Sequence, residues 1–251
     1  MSEALDPVAE HAALVAELRA AGRPYRGGQN NDSYTGSSHP FFNVSLPDVR
    51  RIARVWLAGR RKTDPPALLV VIDRLFGGEA YEEKVLAAVM LGYSRSARAA
   101  ATPAEVDRWL HGLTGWAEID SLCASVFAAA EMAAAWSAWS ELIDRLSRDA
   151  DVNRRRAALV LLCTPARTSD DPRFAALAFE VIGRLAPERP ILITKAVSWL
   201  LRSLAMRRPD DVAAYLEAHA AALPAIAVRE TRKKLASGTK SGKPSKKRTG
   251  A

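Results

Sequence analysis

The chain has 251 residues and a formal net charge of +8; 49% of its residues are hydrophobic and 25% charged. That length allows one large domain or two small ones, and no stretch of about 18 residues is apolar and charge-free enough to cross a bilayer. The two cysteines, Cys123 and Cys163, lie in apolar stretches without a CxxC or His/Cys cluster. A disulfide framework and a zinc site are therefore excluded, and the expectation is a reducing, cytoplasmic location with no metal and no cofactor.

Much of the apolar content is alanine, as in Ala97-Arg98-Ala99-Ala100-Ala101 and Ala128 to Ala130. Alanine is the best helix former and lets helices pack closely, whereas a sheet protein would favour Val, Ile and Thr. The first residues, Met1 to Asp6, are acidic and lack the apolar core of a signal peptide. An amphipathic helix is expected over 7–21, ending near Gly22. Residues 23–46 are irregular, with Gly27-Gly28, Asn30-Asn31, Gly36 and Pro40. Pro47 after Ser45 starts a helix to about Arg60, and Asp64-Pro65 starts another to about Phe76. Gly77-Gly78 breaks it, and residues 79–93 resume with Leu86, Val89, Met90 and Tyr93 on one face. Thr102-Pro103-Ala104-Glu105 reads as a capping box with proline in the first turn.

Further helices are expected at about 116–131, 136–149, 152–163, 172–186, 190–207, 209–222 and 224–236, with Pro172, Pro190, Pro209 and Pro224 at entries. Connections of two to six residues give antiparallel neighbours. No segment alternates with period two. The fold class is therefore all-α, and about a dozen short-linked helices point to a HEAT-like helical-repeat solenoid over 1–236, a single domain with a concave basic face. Residues 237–251 supply Lys240, Lys243, Lys246, Lys247 and Arg248 with no acid. This Gly/Ser/Lys-rich tail is expected to be disordered; it either adds sequence-independent attraction to a polyanion or serves only solubility.

The histidines, His11, His39, His111 and His219, are scattered, and no P-loop, GxGxxG or GxSxG occurs. Three segments stand out. In Trp116-Ala117-Glu118-Ile119-Asp120, Trp116 and Asp120 are four apart at a helix start and share a face, with Ile119 and Leu122 toward the core. That is also what a packing tryptophan and a dipole-stabilising acid would look like. In Asn153-Arg154-Arg155-Arg156, three cations open a helix against its dipole. Either a phosphate backbone or the acids Asp149, Asp151 and Asp120 would compensate them. Lys195, Trp199 and Arg202 fall at i, i+4 and i+7, a basic–aromatic–basic stripe suited to a sugar-phosphate backbone, or a core tryptophan flanked by cations whose stems lie along it.

Taken together, Trp116-Ala117-Glu118-Ile119-Asp120-Ser121, Arg156-Ala157-Ala158 and Lys195-Ala196-Val197-Ser198-Trp199-Leu200-Leu201-Arg202 resemble the AlkD-type DNA alkylation-repair glycosylases, a HEAT-like repeat family. Pro209-Asp210-Asp211-Val212 and Arg229-Glu230 follow in the family's order, and the resemblance covers roughly residues 34–236. It implies a catalytic carboxylate at Asp120, aromatic walls against the deoxyribose at Trp116 and Trp199, and a DNA-contacting arginine at Arg156, with Arg154 and Arg155 adjacent. The chain departs from the family at Asn43, where glycine is usual, at the missing lysine after Tyr34, and at Asn153.

The implied reaction is hydrolysis of the N-glycosidic bond of cationic N3- or N7-alkylated purines in duplex DNA by a monomer, without a deep base-flipping pocket. A base made cationic by alkylation is a good leaving group, so no histidine acid is needed. A carboxylate near the anomeric carbon stabilises the sugar cation and orients water. Indole faces add about 0.5–2 kcal/mol each, the carboxylate on the order of 3 kcal/mol. Two other readings remain at this point: a non-catalytic HEAT-like DNA-binding paralogue, and a helical-repeat scaffold for another protein.

Overall fold

The computed structural model describes residues 5–24, 31–124 and 126–241. The fold is all-α: 72% of the described residues are helical, and no strand occurs among them. This is consistent with an all-α helical-repeat fold. No described helix is long and apolar enough to cross a membrane. Among the described residues no group of three or more His, Cys, Asp or Glu could hold a metal ion. The acidic start, residues 1–4, and most of the basic tail, residues 242–251, lie outside the described residues. The chain divides into two compact units, residues 1–127 with 134–142, and residues 128–133 with 143–251.

Unit 1 contains α1 (Pro7–Ala21), α2 (Asn31–Thr35), α3 (Leu46–Ala58), α4 (Pro65–Phe76), α5 (Tyr81–Tyr93), α6 (Arg95–Ala100), α7 (Pro103–Leu110) and α8 (Gly115–Cys123). The starts follow from capping chemistry. Asp6 accepts from the Val8 and Ala9 amides ahead of α1, Ser45 from Asp48 ahead of α3, and Glu105 reaches back to the Thr102 amide at 2.7 Å. Each such cap stabilises its helix by about 1 kcal/mol.

The centre of unit 1 is α5, packed against α3, α4 and α8. Its residues from Glu82 to Ala88 are all buried, so it is enclosed rather than amphipathic. Three charged residues are therefore taken into the interior, where an unpaired charge costs several kcal/mol. Each is partnered. Glu82 accepts from the Phe42 amide at 2.9 Å and the Val44 amide at 3.1 Å. Glu83 accepts from the Glu79 and Ala80 amides and meets His11 Nε2 at 2.8 Å. Lys84 donates to the Phe76 and Gly78 carbonyls. These side chains fasten loops to the central helix.

Unit 2 contains α11 (Val152–Leu161), α12 (Cys163–Thr168), α13 (Pro172–Leu185), α14 (Ile191–Leu204), α15 (Pro209–His219) and α16 (Ala225–Ser237); α9 (Ala129–Ala134) and α10 (Trp136–Ser147) are divided between the units. Its centre is α14, packed against α11, α12, α13 and α16, with Ala196, Val197, Ser198, Leu200 and Leu201 buried.

The expected continuous helix over 116–131 is two. The first ends where the Ala124 amide donates to the Asp120 carbonyl, and the second starts where Glu131 reaches back to the Ala128 amide at 2.9 Å. No proline or glycine marks this break in the sequence, so nothing in the punctuation of 116–131 separates the two helices. The short helix α2 falls in the segment expected to be irregular, and α6 and α12 follow the helices expected at 79–93 and 152–163 as separate short elements.

Candidate functional site

Helix α8 carries the first candidate pair. Ile119, Leu122 and Cys123 are buried, which turns Trp116 and Asp120 together toward the partly exposed side, as their four-residue spacing requires. The start of α8 is fixed by the end of α2 and the residues that follow it. The Trp116 indole Nε1 donates to the Tyr34 carbonyl at 2.5 Å, and the Tyr34 ring stands edge-on to the indole with centroids 5.3 Å apart.

Two clefts meet at Asp120. One, of about 390 Å³, is lined by Trp116, Tyr81, Glu82, Val44, Leu46, Val49 and Val85 together with Asp120 and Ser121. The other, of about 430 Å³, shares Leu46, Val85, Asp120 and Ser121 and adds Arg50, Arg54, Tyr93 and Val126. Asp120 therefore has an aromatic wall on one side and two cations on the other. Arg50 and Arg54 are one helical turn apart on the exposed face of α3, opposite its buried Val49, Ile52, Ala53 and Trp56. Arg54 donates to the Tyr93 hydroxyl at 3.1 Å, with its guanidinium carbon 5.2 Å from that ring's centroid. Tyr81 is mostly enclosed. Burial, reinforced by the nearby Glu118 and Glu82 charges, pushes its phenol up to about 12, so it is a neutral hydroxyl at any working pH.

The remaining sequence-derived residues lie in unit 2. Lys195 is exposed, and Trp199 and Arg202 are partly exposed along the same face of α14. Arg202 is held by Glu230 at 3.5 Å and by the Ser198 hydroxyl at 3.3 Å; burial holds its guanidinium below its usual value. Glu230 also meets Lys240 at 3.3 Å.

Two of the three arginines of α11 pair with acids of unit 2. Asp151 caps the helix, Arg154 pairs with Asp149 at 2.6 Å, and Arg155 pairs with Glu188 at 2.8 Å. Arg156 is only 5% exposed and donates to the Leu192 carbonyl at 2.6 Å, in the first turn of α14.

The order of these segments along an all-helical chain has a counterpart among known proteins. Residues 14–235 match the sequence profile described as DNA alkylation repair enzyme. The chain belongs to the DNA alkylation repair enzyme family. A solved structure described as "Predicted DNA alkylation repair enzyme from Enterococcus faecalis" is similar with a TM-score of 0.64 at 17% identity, covering 82% of this chain and 92% of that one. At that identity the likeness concerns the fold alone. No curated protein gives a significant match. Membership of a DNA alkylation repair family supports a role in alkylation repair, with DNA as the partner.

Within this family member, the structure adds four residues to the candidate site: Arg50, Arg54, Tyr81 and Glu118. The arginines carried a signal, since an i, i+4 basic pair on a proline-led helix is a phosphate-sized feature. Glu118 also carried one. With Gly115, Ile119 and Leu122 it occupies the apolar stripe at i, i+3, i+4 and i+7, and a carboxylate there must be partnered. Tyr81 carried none; its place follows from α5 being enclosed.

Proposed function

We propose that the chain is a monofunctional DNA glycosylase that releases cationic N3- or N7-alkylated purines from duplex DNA. The observation that supports this best is the position of Asp120 between the Trp116–Tyr81 cleft and the Arg50–Arg54 cleft. A carboxylate beside cations and an aromatic wall suits a reacting sugar flanked by phosphates. A binder of undamaged DNA gains little from an acid placed there.

In this reading the N-glycosidic bond breaks with its electron pair leaving on the already cationic base, which departs neutral. Asp120 faces the sugar cation that develops at C1′ and lowers its energy electrostatically. The oxygen of a water oriented by the same carboxylate then bonds to C1′, and its proton passes to Asp120 or to solvent. The Trp116 face packs against the sugar and favours its positive charge through the ring quadrupole. Arg50 and Arg54 hold backbone phosphate. Tyr81, neutral throughout, can donate a hydrogen bond but not act as base. The base itself stays outside any enclosing pocket, so its size is not restricted.

In unit 2 the stripe of Lys195, Trp199 and Arg202 is proposed to contact the DNA backbone and sugar. Arg156 contributes by holding the first turn of α14, which presents Lys195. The deciding experiment is incubation with duplex oligonucleotide carrying one defined N7- or N3-alkylpurine, with chromatographic detection of free base. Release supports the reading. Tight binding without release would leave a non-catalytic DNA-binding paralogue.

A further inference from the structure

We propose that Glu118 is a positioning residue whose carboxylate clamps the 34–39 segment onto the start of α8 and thereby fixes Trp116 and Asp120 relative to their cleft. The proposal rests on the glycosylase reading for its kinetic consequence, though not for its geometry.

The Glu118 side chain is fully buried. Its Oε1 accepts from the Ser37 hydroxyl and from His39 Nδ1, the latter at 2.8 Å. Its Oε2 accepts from the Thr114 amide at 2.8 Å. One carboxylate thus joins two chain segments about 80 residues apart in sequence. The junction is extended on either side. The Ser38 amide donates to Thr114 Oγ1 at 2.9 Å, and the Trp116 indole donates to the Tyr34 carbonyl. Gly36 and Gly115, both at positive φ, allow the two backbones to touch.

Glutamate suits this position where its amide does not. Three donors converge on it, from both sides, and only a carboxylate has two acceptor oxygens to meet them. A glutamine that turns its NH₂ toward Thr114 sets donor against donor, and one that turns it toward Ser37 and His39 reverses both of those bonds, which demands a new hydroxyl rotamer and the other imidazole tautomer. Asp120 lies half a helical turn further along the same helix, so rotation or fraying of the first turn of α8 moves the indole and the carboxylate together. Burial, and after it the Glu118 and Glu82 charges, keeps Tyr81 of the opposite wall protonated.

The test compares three variants of the full chain. Glu118→Gln and His39→Ala disturb the clamp. His11→Ala removes an equivalent contact, His11 Nε2 to Glu83 at 2.8 Å, in the same unit but away from α8. Single-turnover base release and affinity for undamaged duplex are measured on folded protein, with hydrogen exchange of the Trp116 indole N–H followed by NMR. Glu118→Gln should slow release about 10-fold, and His39→Ala about 3-fold, with affinity changed less than about 2-fold, because a small displacement of a reacting group costs rate rather than binding. Indole exchange should accelerate in both, and His11→Ala should change neither readout. Unchanged release and exchange in folded clamp variants, or an equal effect from His11→Ala, would overturn the proposal. If Glu118→Gln does not fold, His39→Ala decides. If the wild-type protein releases no base, the glycosylase reading falls and the indole exchange alone tests the clamp.

Discussion

Gly36 and Gly115 stand back to back at the point where the 34–39 segment meets α8. Both have positive φ, +69° and +70°, and a Cβ added to Gly115 would sit 2.2 Å from the Gly36 carbonyl carbon. Backbone cannot give way as a flexible side chain can, and an L side chain is strained at that φ in any case. Gly115→Ala should therefore lower the unfolding free energy by about 2 kcal/mol or more. A chemical denaturation midpoint equal to that of the wild type would show that the two backbones are not in fact held together.

Asn43 is a milder case of the same geometry. It is the one non-glycine residue with positive φ among the described residues, at 61°, and it stands where the resembling family has glycine. Asparagine tolerates the left-handed region better than most residues. Glu82 fixes that conformation by accepting from the amides on either side of it. Asn43→Gly should be nearly neutral in thermal denaturation, whereas Asn43→Val should destabilise by about 1–2 kcal/mol. Equal melting temperatures for the two variants would contradict this.

Much of the fold was legible because proline, glycine and capping residues mark the helix ends. Pro7, Pro47, Pro65, Pro103, Pro172 and Pro209 all lie in first turns. What was not legible depends on tertiary contact. The break after Cys123 lies in a stretch without proline or glycine to mark it, and the burial of Glu82, Glu83 and Lys84 follows only from the N-terminal half of α5 being enclosed. In the candidate site, the shared face of Trp116 and Asp120 follows from helix periodicity. Arg156 shows its limit: the run Arg154-Arg155-Arg156 reads as a surface patch, yet two of the three side chains, Arg154 and Arg156, are buried.

Acid should loosen the joint between α1 and α3. Burial alone would raise the Glu10 carboxyl, but hydrogen bonds from Arg60 and from the Trp56 indole outweigh it and hold it below its ordinary value of 4.5. A folded-state value below the unfolded one means the contribution is complete above 4.5 and is lost as pH falls through the lowered folded value. Urea midpoints measured through that range should fall more steeply for the wild type than for Glu10→Gln. Parallel profiles would remove Glu10 as a source of the acid sensitivity.

The cations beside Asp120 give a binding prediction. Replacing Arg50 and Arg54 together by glutamine should weaken duplex binding about 10-fold and reduce the slope of log affinity against log salt by about 2, one ion released per lost phosphate contact. Neither residue lies in the core, so the melting temperature should hold. An unchanged salt slope would mean that the phosphates run elsewhere.

The central claim is that Asp120 stabilises a developing sugar cation, and single-turnover base release by Asp120→Asn tests it most directly. The substitution keeps the size and shape of the side chain while removing the charge and turning one acceptor into a donor. Release of a defined N7- or N3-alkylpurine should slow by about 10²-fold or more, while affinity for undamaged duplex holds or tightens, since one repulsion with phosphate is gone. Release near the wild-type rate by a folded Asp120→Asn protein would contradict the account and remove Asp120 from the mechanism.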